Sequence, residues 1–144
     1  MRKMRISIFS GLALIASLSA AQIRAVPHYD PSTETSLTGT VQEVTQQVRG
    51  RMGRIHVSLA TDAGVFEVRL GPKQFLDSKN FGVAKGDHLD LVGSRMEVDG
   101  TTFFVAREVT KREVNNDGHT LKLRDKDGVP VWRQARGHRH RRPT

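Results

Sequence analysis

His138 and His140 stand one residue apart, so on an extended strand both imidazoles would project to the same side and could share a transition metal. Arg136, Arg139, Arg141 and Arg142 surround them; that charge repels a cation, and imidazole must also be neutral to ligate. No metal is expected there. Arg54, His56 and Ser58 alternate with apolar residues, as do Glu67 and Arg69 in the next segment. Arg54, His56 and Arg69 could grip an anionic or sugar ligand through charge-assisted hydrogen bonds. The same side chains could equally make a solvated strand face on which Glu67 and Arg69 are ordinary partners. Arg95 and Arg107 form a second candidate pair, since two guanidinium forks bind carboxylate or phosphate bidentately. The alternative is that Glu97 and Glu108 neutralise them. Asp125-Lys126-Asp127-Gly128 starts like a calcium loop but lacks its third acid and distal glutamate, so it reads as a turn. His56, His88 and His119 show no metal-ligand spacing, and no nucleophile accompanies His88 with Asp87 and Asp90. No catalytic residue is expected, and the chain is not expected to be an enzyme.

The elements that must position these groups are mostly strands. Val65-Phe66-Glu67-Val68-Arg69-Leu70 alternates with period two, and Gly71-Pro72 stops it, because proline has no N–H for the ladder and suits a helix start. A helix of barely two turns follows, anchored by Phe75 and Leu76, before His88-Leu89-Asp90-Leu91-Val92 resumes the alternation. Earlier, a strand from Leu37 to Val48 changes inward parity from Leu37, Gly39 and Val41 to Val44 and Val48, which implies a bulge near Gln42-Glu43. Gly50 to Gly53 turns into a second strand carrying Ile55, Val57 and Leu59 inward. The strand from His88 changes parity between Leu91 and Met96, with Gly93 at the bend, so it can belong to both halves of a closed sheet. Asp99-Gly100 is a hairpin signal, and Thr101 to Val109 makes a fifth strand with apolar residues on both faces. Asn115 to Gly118 turns into a short sixth strand over 120–124, and Val129 to Trp132 closes the ordered part, with Trp132 as an apolar clasp. A mainly β fold is expected, a small five- to six-stranded OB-like closed barrel with one short helix between strands three and four.

Composition assigns an address. Arg2, Lys3 and Arg5 precede the apolar run Ile6 to Leu18, and Ser19-Ala20-Ala21 offers a small-residue cleavage site, the layout of a cleavable signal peptide over residues 1–21. Ala25 is an alternative cleavage position. The run is shorter than the roughly 20 residues needed to span a bilayer, so the mature chain is expected to have no transmembrane segment and to be periplasmic or secreted. Residues 22–36, with Pro27 and Pro31, read as an extended arm, residues 37–132 as the barrel, and 133–144 as a disordered Arg/His-rich tail. The net charge of +8 belongs to the ends, because residues 22–132 hold fifteen basic and fifteen acidic side chains. The excess lies in the leader and in Arg133, Arg136, Arg139, Arg141 and Arg142, which could attract an anionic surface or merely solubilise the chain. A neutral body argues against an extended phosphate-binding face, and nucleic-acid stacking would rest on Phe104, whose simpler role is packing.

Leu37-Thr38-Gly39-Thr40-Val41, Leu70-Gly71-Pro72 with Phe75-Leu76, Gly86-Asp87, Gly93-Ser94-Arg95, Ala106-Arg107-Glu108-Val109 and Leu121-Lys122-Leu123-Arg124-Asp125 together resemble the OB-like domain of the magnetosome MamS/MamX proteins and their exported bacterial relatives, over roughly residues 35–132. The resemblance implies an exported OB-like module with no catalytic residue. Relatives that carry haem use a cysteine motif, and this chain has no cysteine, so no cofactor is expected. The expected function is noncatalytic recognition of a protein partner or small anionic ligand; nucleic-acid binding and metal or redox assistance are the alternatives.

Overall fold

The computed structural model describes residues 28–114 and 118–137. The strands are β1 (Thr35–Arg49), β2 (Met52–Thr61), β3 (Gly64–Pro72), β4 (His88–Val98), β5 (Thr101–Arg112) and β6 (His119–Lys122). The helices are α1 (Lys73–Ser78), between β3 and β4, and α2 (Val131–Gly137), after β6. A 3-10 turn at Pro31–Thr33 precedes β1. Antiparallel pairing runs β3-β2-β1-β4-β5-β6, and a parallel pairing of β3 with β5, at Val68 opposite Phe104, closes a ring through five strands. This is the OB-like barrel expected from the sequence, with β6 added outside the ring.

Two bulges let the sheet close. One falls between Val41 and Glu43, where β1 leaves β4 and continues along β2. The other falls between Val92 and Gly93. A Cβ on Gly93 would run into the carbonyl oxygen of Val105 and lie 2.8 Å from Phe104 Cε1, so the bend requires glycine. The extra residue is Arg107 on β5, because Val92 pairs with Glu108 and Gly93 with Ala106; β5 thus shifts its core face from Phe104 and Ala106 to Val109, while β4 keeps its parity and Met96 and Val98, expected inward, pack on the outer cluster.

The core lies inside the ring: Val57, Leu59, Val68, Leu70, Leu89, Leu91 and Phe104 are all almost fully buried. Burying each side chain of this size is worth about 1.5–3 kcal/mol relative to exposure. Leu76 of α1 and Phe81 close one end, with Phe75 packed partly against them. Val48 departs from the expected inward parity and is 67% exposed, because the β1–β2 ladder continues to Arg49 opposite Met52, beyond the barrel wall that would have covered it.

A second, smaller cluster sits on the outside of β4 and β5. Tyr29, Phe103 and Val105 are buried there with Met96 and Val98 against them. Both faces of β5 are thus covered, the outer one by Tyr29 of the N-terminal arm. The residues expected to form an extended arm are partly seated on the barrel: Tyr29 is 4% exposed, and Thr33 Oγ1 and the buried Ser94 Oγ share a hydrogen bond of 2.6 Å. β1 begins at Thr35, two residues before the expected boundary. At the other end, α2 runs through Arg133, so the disordered tail expected from that residue begins no earlier than 138, and residues 138–144 lie outside the described residues. The expected signal peptide and the turn at Asn115 also lie outside them. Among the described residues, no helix is long and apolar enough to cross a membrane.

Candidate functional site

OB barrels bind ligands on the outer face of strands two and three and the adjoining loops. Here β2 and β3 pair with His56 opposite Arg69 and Ser58 opposite Glu67, so outward positions on adjacent strands bring these side chains together. Arg54 is exposed one turn of the pleat away, opposite Pro72. His56 corrects the expectation of a solvated histidine: it is only 5% exposed. Its Nδ1 lies 3.2 Å from Glu67 Oε1, and because an ionised carboxylate only accepts, the neutral ring donates from Nδ1. Burial pulls the His56 pKa below its ordinary value; Arg69 and Arg54 act in the same direction, against Glu67. Arg69 reaches Glu67 at 3.9 Å and lays its guanidinium 3.4 Å from the centre of the Phe103 ring. Glu67 thus sits between His56 and Arg69, while Arg54 stands farther along the same outward row of β2.

The second candidate pair is not brought together. Arg95 lies opposite core-facing Phe104 and sets its guanidinium 4.8 Å from the Phe66 ring centre. Arg107 shares the outward parity of Phe103 and Val105, on the other side of the β4–β5 ribbon. Arg107 Nε donates to Glu34 Oε1 at 2.6 Å, and Nη1 lies 3.8 Å from Glu108. Arg107 therefore neutralises the arm instead of waiting for a ligand. Tyr29 Oη donates to the same Glu34 oxygen at 2.7 Å. Burial alone would raise the Glu34 pKa, but the hydrogen bonds from Tyr29 and Arg107 outweigh it and hold the carboxyl below its usual range.

Trp132 forms the expected apolar clasp, and what sequence reasoning missed is the Tyr29 ring and the Arg124 cation that join it. The Trp132 ring packs 5.5 Å from Phe75, and a Cβ on Gly71, whose φ of 149° itself favours glycine, would meet it at 3.0 Å. Arg124 lies between Trp132 and Tyr29. One signal was available: Tyr29 is the single Phe, Tyr or Trp among residues 22–36. Phe104, the ring considered for stacking on bases, is fully buried in the core. A cleft of about 330 Å³ opens between β1, β2 and α1, lined by Val44, Ile55, Leu76 and Phe81, with Lys73 and Asp77 paired to each other at its edge. Arg133 and Arg136 fall on α2; Arg139, Arg141, Arg142, His138 and His140 lie outside the described residues. Among the described residues, no group of three or more His, Cys, Asp or Glu could hold a metal ion.

These features define an OB-like barrel protein with a basic outer face and a wall partly covered by the segment around Tyr29 and by α2. The sequence profile of the MamS/MamX magnetosome protein family matches residues 33–115, which hold all five strands of the ring and α1, and the chain belongs to that family. No curated protein matches it.

Proposed function

We propose that this protein is a noncatalytic, exported OB-like binding module associated with the magnetosome, and that it recognises an anionic surface of a protein partner or a small anionic ligand through Arg54, His56 and Arg69. The observation that carries this reading is that Arg54, His56 and Arg69 share the outward face of two adjacent strands, at the customary OB binding position, with Glu67 beside His56 and Arg69. Family membership supports the magnetosome association. The n-region, apolar run and small residues over 1–21 support export. The Arg-rich C-terminus adds nonspecific attraction to anionic surfaces. Burial of Phe104 removes the feature that favoured base stacking.

The test is a titration of the full chain with poly-glutamate at low salt, repeated on Arg54→Ala/Arg69→Ala and on a chain ending at residue 137. The double substitution is expected to weaken binding about tenfold or more, since each charge-assisted contact is worth about 1–3 kcal/mol. Truncation is expected to leave most of the affinity. Binding that disappears with residues 138–144 and ignores the double substitution would overturn the proposal.

A further inference from the structure

We propose that Arg124, with Arg54 and Arg133, forms a receptor for a small, multiply charged oxyanion at the edge of the barrel where α2 folds back on β3. The Arg124 guanidinium lies 5.6 Å from the centre of the Tyr29 ring and 5.7 Å from that of Trp132. Its Nη1 donates to the Gly128 carbonyl at 2.9 Å, while its Nε is shielded from water and has no hydrogen-bond acceptor. Among the described residues no carboxylate pairs with this charge. Asp125 is next in sequence, yet its Oδ1 accepts from the N–H groups of Asp127 and Val129 and its Oδ2 from Gln134 Nε2.

The backbone explains why further arginines converge on the same edge. Arg54 sits opposite Pro72, one residue from Gly71, against which Trp132 packs. Arg124 forms a bridge with Pro130, whose carbonyl accepts the Arg133 N–H at 3.1 Å. Burial lowers the Arg124 pKa, and repulsion from Arg133 and Arg54 lowers it further. A guanidinium that has lost much of its water is ordinarily paired with an acid. Each ring contributes cation–π attraction, but a ring face does not satisfy an in-plane N–H. Among the described residues none of these three guanidiniums is paired with a carboxylate, the inverse of a structural ion-pair network. They match a ligand with two or more negative charges, such as phosphate or a polycarboxylate, which accepts several forked donors at once.

Trp132 is the single tryptophan of the chain and adjoins the site, so its emission reports occupancy directly. The full chain is titrated with inorganic phosphate at constant ionic strength held by chloride, with citrate as a parallel arm. A saturable change with either anion is expected, abolished in Arg124→Gln and weakened about tenfold in Arg54→Gln and Arg133→Gln. If circular dichroism shows Arg124→Gln unfolded, the two exposed substitutions decide. No saturable change with either anion, or titrations unaltered by Arg54→Gln and Arg133→Gln, overturns the receptor. The site shares Arg54 with the β2–β3 face but does not rest on it: loss of phosphate and citrate binding with poly-glutamate binding intact sinks this receptor alone, and the reverse pattern sinks the face alone.

Discussion

Replacing Glu34 by Gln tests whether the N-terminal arm is an integral part of the barrel. One oxygen of Glu34 receives Tyr29 Oη at 2.7 Å and Arg107 Nε at 2.6 Å, across 73 residues in the second case. The Arg107 and Glu34 side chains are 20% and 22% exposed, so water screens the pair only in part. Hydrogen bonds to charged groups contribute about 1.5–3 kcal/mol when sheltered, and exposed ion pairs about 0–1 kcal/mol. An intermediate loss of about 1.5–2 kcal/mol follows for Glu34→Gln at neutral pH, or a fall in Tm of roughly 6–10 °C for a domain of this size. Tyr29→Phe removes one bond and should cost about 1 kcal/mol; the double substitution should cost less than the sum, because both act through one carboxylate. The pH dependence sharpens the test. A carboxyl whose folded pKa is depressed contributes stability above its unfolded value, and that stability is lost as pH falls through the folded pKa. Wild type and Glu34→Gln, compared by urea unfolding, should therefore differ at pH 7, and the difference should shrink once pH falls below the ordinary glutamate value of about 4.3 and vanish below the depressed folded value. A difference under about 0.5 kcal/mol at pH 7, or one that persists unchanged in acid, would refute the coupling of arm to barrel.

Three further outcomes are expected. Gly93→Ala should destabilise the fold by at least about 2 kcal/mol in chemical denaturation, since its Cβ meets backbone that cannot move without breaking the β4–β5 register. Phe104→Ala should cost about 3–5 kcal/mol in the same assay, whereas a solvent-facing ring would cost little. His56, its pKa lowered first by burial, should make wild type lose stability as pH falls below the ordinary histidine value near 6.5, because the unfolded chain takes up the proton first; His56→Gln should flatten that slope in thermal melts between about pH 7 and 5.

The barrel was legible because its causes are local. Period-two alternation placed the core faces of β2, β3 and the first half of β4, the parity change in β1 placed the bulge at Val41/Glu43, and Asp99-Gly100 takes the positive φ values of 50° and 78° that its turn requires; the parity change expected within β4 lies on β5 instead, so Met96 and Val98 face outward. What escaped depends on contacts distant in sequence. Alternation assigned His56 to the outside of β2 correctly, but it carries no information about what lies over that outside. Arg107 was matched with acids near it in the chain, whereas its short hydrogen bond goes to Glu34. Val48 was placed inward by extending a parity past the point where the barrel wall ends. The start of α2 was read as a tail because Arg133 to Gly137 has no apolar periodicity; Trp132, seated on Phe75 and Gly71, anchors it instead.

The most direct measurement of anion recognition on the β2–β3 face is an NMR titration of the isotopically labelled chain with poly-glutamate at low salt, following backbone amides and arginine Nε–H signals together. Perturbations centred on Arg54, His56 and Arg69 are expected. Signals that move only within residues 138–144, or mainly around Asp90 and Glu108 on the other side of the barrel, would contradict it.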